Sequence, residues 1–276
     1  MGSMVPALSR GLDILELFLS GDQELGAPDV VARLGLPRTT AYELLQTLAA
    51  RGYLEPVAGS RGTFRLGLRT FELGTAYGEG IDLVREAGKA VLRVTDLTGE
   101  TSHAAVLSDT DVFYVARAES GHAVKTVSAV GRRLPAHATG VGKALLGTLS
   151  EDEVRARLGG DRLPILTKRT LASLDALEAE LRRIRASGLA WDFCESNEDV
   201  CCVAVVVYDR NGPAAAISVS VPIVRWSPLT ATQYARVVRE QAWLLSSRLG
   251  ASSARREPDF DHAIAISPPV TGDLPA

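Results

Sequence analysis

The stretch "CCVAVVVYDRNGPAAAISVSVP", Cys201 to Pro222, constrains the fold more than any other part of the chain. Two apolar runs rich in β-branched residues flank "RNG", turn chemistry that joins neighbouring strands into a hairpin. Paired in this way, they commit their domain to a largely antiparallel sheet. Similar text precedes them: "TSHAAVLSD" and "DVFYVARAE" read as strands joined by a turn at Thr110 and Asp111, and "AVKTVSAVG" as a further strand. Helical periodicity surrounds the strands at "DLVREAGKAVLRVTDLTG", "GVGKALLGTLS", "SEDEVRARLG", "LASLDALEAELRRIRASG" and from about Leu229 to Leu249. Helices between and outside hairpin-paired strands make an α+β domain, the shape of a small-molecule sensor.

The N-terminal text differs. "ALSRGLDILELFL" places Leu8, Leu12, Leu15 and Leu19 at helical spacing, with Ser9 able to cap the start. "APDVVARLG" is a short second helix, with Pro28 in its first turn and Gly35 as its stop. "LPRTTAYELLQTLAARG" is a third, opened by Pro37 and closed by Gly52. Its stripe of Leu44, Leu45, Leu48 and Ala49 turns inward, while Arg38, Thr39, Thr40 and Tyr42 crowd the first turn. A helix, a turn of about four residues containing Gly, and a second helix have the spacing of a helix-turn-helix, whose second helix enters the major groove by its N-terminal end. "YLEPV" and "TFRLG" then form a hairpin with Arg61 at its tip, so the helix-turn-helix is winged. "LRTFELGTAYGEG" is a helical connector, with Phe71 and Leu73 available to pack on a neighbour.

Composition narrows the function. A net charge of -3 excludes blanket nucleic-acid binding, so any DNA contact must come from local charge. Between Val31 and Arg69 six arginines (Arg33, Arg38, Arg51, Arg61, Arg65, Arg69) face two acids (Glu43, Glu55), a balance of +4. No run approaches the roughly 20 apolar residues of a membrane-spanning helix. "MGSM" reads as a cloning remnant before a natural start at Met4, no signal peptide is evident, and the three cysteines are too local for a disulfide framework. A reducing cytoplasm is the expected location.

In the sensor text, "HATGVGKA" is a Gly-interrupted turn into a helix, where backbone N–H groups from Gly140 to Gly142 can meet a carboxylate. Ser218 and Ser220 lie two apart on a strand and share one face, as the wall of an orienting pocket requires.

Five strings in order, "LSRGLDILELF", "LPRTTAYELLQTLAARGYLE", "FRLGLRTFELG", "LPAHATGVGKALL" and "CVAVVVYDRNGPAAAISVSVP", resemble the IclR family of bacterial transcriptional regulators from about Pro6 to Leu249. The resemblance implies a winged helix-turn-helix over residues 4–66, a linker helix over 67–80 and a GAF-like α+β sensor domain over 81–250. Residues 251–276 remain as a mobile tail in which "HAIAIS" can lie down as a short strand. It further implies a homodimer, often a dimer of dimers, on a pseudo-palindromic operator in double-stranded DNA, responsive to a small organic acid or aromatic metabolite. By motif, the groove readers are Arg38, Thr39, Thr40 and Tyr42, with Arg10, Arg61 and Arg65 near phosphates. The effector, expected to be a carboxylate, meets Leu134, Gly140, Val141, Asp192, Cys202, Ser218 and Ser220. No cofactor, metal or catalytic residue is implied. The chain departs from the family pattern at Val206 and Val221, where proline and glycine are common, and is one residue short at "GPAAA".

Two rival functions rest on the thiols. Cys201 or Cys202 as nucleophile, with His137 or His103 as base and Asp192 as orienter, would make a thiol enzyme. Cys194, Cys201 and Cys202 together would make a redox or metal switch, although adjacent strand residues point to opposite faces and cannot readily share one zinc.

Overall fold

The computed structural model describes residues 5–60, 62–79, 82–122, 130–251 and 260–266. Arg61 lies outside the described residues, as does nearly all of the strand expected at "AVKTVSAVG". The chain divides into two compact units, residues 1–81 and 82–276.

In the first unit, α1 (Pro6–Leu17) runs into a 3-10 turn at Phe18–Ser20. Ser9 is not its cap. Pro6, with a preset φ and no N–H to satisfy, starts the helix earlier, and the Ser9 hydroxyl donates to the Val5 carbonyl at 3.3 Å. Next come β1 (Leu25–Gly26) and α2 (Ala27–Leu34), where the Asp29 carboxylate accepts the Gly26 N–H at 2.7 Å and Gly35, at φ 66°, ends the helix. Then follow α3 (Arg38–Ala50), β2 (Leu54–Pro56), β3 (Thr63–Leu66) and α4 (Leu68–Glu79). The strands pair antiparallel in the order β1-β3-β2. Ile14, Phe18, Leu25, Val30, Ala41, Leu45, Leu54 and Phe64 form the core.

The second unit opens with α5 (Asp82–Thr98), β4 (Thr101–Ser108) and β5 (Asp111–Ala118). The turn between the strands falls on Asp109 and Thr110, one residue earlier than expected, because Asp109 takes the left-handed conformation at φ 56° and Asp111 already pairs. There follow β6 (Arg133–Pro135), a 3-10 turn at Ala136–Ala138, α6 (Gly140–Leu146), α7 (Glu151–Leu158) and α8 (Leu174–Ser187). The chain continues through β7 (Ala190–Phe193), β8 (Val200–Asp209), β9 (Gly212–Pro222), α9 (Pro228–Arg248) and α10 (Phe260–Ile266). The six strands lie in the order β6-β5-β4-β9-β8-β7, every pairing antiparallel.

Strand alternation splits the sheet into two apolar layers. Val203, Val205, Val207, Ile217 and Val219 join Val91 and Val94 of α5 and Val238 and Leu245 of α9 in one cluster. Ala204 and Ala216 face the other way, toward Val141 and Leu145 of α6 and Leu177 and Leu181 of α8. The expected strand at "HAIAIS" is instead α10. Phe260, Ala263 and Ile264 recur at helical spacing, Ala263 is fully buried, and the Arg236 guanidinium stacks 4.5 Å from the Phe260 ring centre.

Candidate DNA-reading and effector sites

The reading head is built by an anchor and an offer. Ala41 and Leu45, one turn apart and fully buried, fix α3 to the core. Arg38 and Thr39 are exposed on its first turn, Thr40 is half-buried and Tyr42 is 51% exposed. Hydroxyls, a guanidinium and a phenol at a helix N-terminus can donate to base edges and phosphates.

The arginine excess is partly spent within the unit. Arg33 pairs with Asp22 at 2.5 Å, Arg65 with Glu55 at 2.5 Å and Arg69 with Glu72 at 3.2 Å. The first pair holds the Asp22 carboxyl below the usual range, chiefly through the hydrogen bond from Arg33. Arg10 and Arg38 are exposed and make no ion pair among the described residues. Exposed pairs such as Arg65 with Glu55 are weak enough to exchange for phosphate.

In the second unit, Leu134, Gly140, Val141, Asp192, Cys202, Ser218 and Ser220 all line one cavity of about 100 Å³. Strand register brings the polar ones together: Asp192 opposes Cys202, Cys202 opposes Ser220, and Ser218 opposes His103. The Ser220 hydroxyl lies 3.1 Å from Cys202 Sγ and 3.3 Å from His103 Nδ1, bridging strands rather than bonding to backbone nearby. Burial, with Arg117 adding to it, pushes His103 down to about 3, so its ring is neutral at physiological pH. Tyr114 packs edge-on against that ring at 5.3 Å, and burial pushes its phenol up, keeping it protonated.

Two glycines place α6. A Cβ at Gly142 would lie 2.1 Å from the Ala136 carbonyl oxygen, a position no side chain can take. A Cβ at Gly140 would touch Ala204, Cys202 and Asp192 at 3.5–3.6 Å, in the cavity wall. The backbone N–H groups are not all available for a ligand: that of Gly142 donates to Thr139 Oγ1 at 3.0 Å.

Asp192 is buried, and its two oxygens accept the Glu195 N–H at 2.7 Å and the Ser196 hydroxyl at 2.9 Å. Burial pushes this carboxyl up while Lys143 pulls it down. Tyr114, Arg132, Thr139, Ser196, Asn197 and Val200 also line the cavity and were not singled out from the sequence, and His103, read there only as a candidate base, lines it too. Ser196, Asn197 and Val200 had a local signal in their nearness to Asp192. His103 had none, since only its register with Ser218 brings it in.

The thiol-enzyme arrangement is not assembled. Burial and Asp192 push the Cys202 thiol up while His103 stays neutral, the reverse of a thiolate–imidazolium pair. His137 is engaged elsewhere, its Nε2 2.9 Å from the Pro164 carbonyl oxygen. Among the described residues no group of three or more His, Cys, Asp or Glu side chains is placed to hold a metal ion.

Comparison with known proteins gives these sites a family. The model of the bacterial transcriptional regulator IclR C-terminal domain matches residues 75–247, and that of the IclR helix-turn-helix domain matches residues 7–58. The HTH-type transcriptional regulator XynR of Escherichia coli is 33% identical over 248 residues, which span 90% of this chain and 98% of that protein. The E. coli transcriptional repressor IclR is 30% identical over 86% of this chain and 88% of its own length. Among solved structures, an IclR homolog of Microbacterium hydrocarbonoxydans complexed with 4-hydroxybenzoate superposes with a TM-score of 0.77 at 26% identity, covering 89% of this chain and 100% of that one. The chain is a DNA-binding transcriptional regulator of the IclR family, with an N-terminal helix-turn-helix domain and a C-terminal effector domain.

Proposed function

We propose that this regulator binds a short-chain hydroxy or oxo carboxylic acid in the β-sheet cavity and thereby changes its hold on a pseudo-palindromic operator. The lining carries the reading. Arg132 is at the cavity and makes no ion pair among the described residues, so it can take the carboxylate, while Ser218, Ser220 and neutral His103 can orient a hydroxyl or carbonyl. Size supports an aliphatic rather than an aromatic acid. A dry engineered cavity of roughly 150 Å³ holds benzene, and the cavity here, at about 100 Å³, is smaller.

On DNA, Arg38, Thr39, Thr40 and Tyr42 read base edges, while Arg10, Arg61 and Arg65 meet phosphates. The regulator acts in the cytoplasm as a homodimer, or a dimer of dimers, because a pseudo-palindrome presents two equal half-sites.

The experiment is a thermal-shift screen of the purified full-length chain against aliphatic hydroxy and oxo acids, their amides, and hydroxybenzoates. Stabilisation by a short acid, lost with its amide and in the double variant Ser218→Ala, Ser220→Ala, supports the proposal. A response confined to hydroxybenzoates refutes the aliphatic class.

A further inference from the structure

The family function leaves Cys194 and Cys201 unexplained. They lie at the base of the β7–β8 hairpin, where Phe193 opposes Cys201 and the Cys194 N–H donates to the Val200 carbonyl at 3.0 Å. Their sulfurs are 3.7 Å apart. Cys202, the next residue, points to the opposite face and meets Ser220 instead. Cys194 sits at φ 61°, in the left-handed region that non-glycine residues seldom adopt. Hydrogen bonds from Thr167 and Thr170 to the Cys194 and Glu195 carbonyls, at 2.7 and 2.6 Å, hold it there.

We propose that Cys194 and Cys201 are a modification site, a dithiol that peroxide converts to a disulfide across the base of the β7–β8 loop, clamping the loop that carries Ser196 and Asn197 to the effector cavity. Position assigns the roles: Cys194 lies on the loop that follows β7 and Cys201 within β8, so opening of the loop bares Cys194 first, and the contact with Cys201 holds the Cys194 thiol down. The Cys194 thiolate attacks one peroxide oxygen and breaks the O–O bond; the departing hydroxide takes a proton to become water, and a sulfenic acid remains. Cys201 sulfur then attacks that sulfenic sulfur, the S–S bond forms, and the expelled hydroxide leaves as water with the Cys201 proton. Two thiols and one hydrogen peroxide yield one disulfide and two waters, with two electrons passing from sulfur to peroxide. Both thiols are buried, but Asn197, Glu198 and Asp199 at the hairpin tip are exposed, so local opening of this short loop admits a small oxidant.

Oxidation links two strand neighbours that the sheet already holds, and so changes the freedom of the loop rather than the fold. Asp192 and Cys202 face each other across this hairpin, next to the Phe193–Cys201 pair, and both are in the cavity wall. Oxidation therefore acts on effector binding.

The test treats the reduced full-length protein with equimolar hydrogen peroxide, then blocks free thiols with N-ethylmaleimide in denaturant and maps the peptides by mass. The expected result is a cross-link between Cys194 and Cys201 within one chain, with Cys202 alkylated. A cross-link through Cys202, a cross-link between chains, or three alkylated cysteines overturns the proposal. Cys202→Ala should leave the cross-link intact. Cys201→Ser should abolish it and leave a Cys194 sulfenic acid that dimedone traps; trapping at Cys202 instead would overturn the assignment of roles. Amide exchange in the β7–β8 hairpin should slow by about tenfold or more on oxidation and recover with dithiothreitol. Exchange that does not change refutes the clamp.

Discussion

Lys143 Nζ lies 2.5 Å from Glu195 Oε1, with only 1% and 8% of the two side chains exposed. The pair ties α6, whose first residues line the cavity, to the loop that carries Ser196 and Asn197. Glu195 Oε2 has no hydrogen-bond partner among the described residues, so the lysine is the main compensation for its charge. Lys143→Met therefore strands a buried carboxylate and should cost about 3–5 kcal/mol at about pH 8. Near pH 5 the carboxyl can take a proton instead, and the loss should shrink. Urea unfolding followed by circular dichroism reads both values; equal losses would show that the ion pair is not what stabilises this loop.

Glu195 and His103 should shape the pH dependence in opposite senses. Burial, opposed by Lys143 and reinforced by Asp192, pushes Glu195 from 4.5 up to about 7. The native state thus holds this proton more tightly than the unfolded chain, and the resulting stability, full below 4.5, is lost as pH rises through about 7. His103 is pushed from 6.5 down to about 3, so its contribution is present above 6.5 and lost as pH falls toward 3. Relative to wild type, Glu195→Gln should gain stability as pH rises through neutrality, and His103→Gln should gain as pH falls below about 6. Parallel stability curves for variant and wild type would count against either assignment.

The two glycines of α6 should respond differently to the same added methyl. At Gly142 the new Cβ meets backbone, the Ala136 carbonyl, which cannot swing away. Gly142→Ala should therefore destabilise by at least about 1–3 kcal/mol. At Gly140 the contacts, at 3.5–3.6 Å, are ordinary ones, and the methyl enters the cavity. Gly140→Ala should keep its melting temperature and lose the thermal shift produced by the acid that stabilises wild type. Retained ligand response in Gly140→Ala would move the effector elsewhere.

How much of this was legible follows from how local each signal is. The β8–β9 hairpin announced itself because apolar, β-branched runs over strands of ten and eleven residues are a long signal and the turn chemistry between them is specific. β1, β6 and β7, with two, three and four residues, are too short to show a period, and only pairing with a longer strand makes them strands. Ser218 and Ser220 stood out as hydroxyls in apolar text. Lys143 and Glu195, 52 residues apart, carried no mark of belonging together. The arginine count in the head overstated the free charge for the same reason: Asp22, eleven residues before Arg33, lies outside any window drawn around the third helix.

Arg38 and Arg65 should separate base reading from phosphate contact. Arg38 projects from the first turn of α3 with no ion pair among the described residues, where a guanidinium can approach base edges in the major groove. Arg65 lies on the second wing strand and shares its charge with Glu55 at 2.5 Å. Arg38→Ala should therefore cost about 1–3 kcal/mol of specific binding and relax the sequence preference at one position of each half-site. Arg65→Ala should weaken all sequences alike and lower the slope of log affinity against log salt by about one. Leu45→Ala is the control for folding, since that buried anchor of α3 should cost about 2–5 kcal/mol of stability before any DNA is added. Binding isotherms at several salt concentrations, on operator fragments selected from genomic DNA, measure all three. If Arg38→Ala changes only the salt slope, this arginine is a phosphate contact and the base reading falls to Thr39, Thr40 and Tyr42.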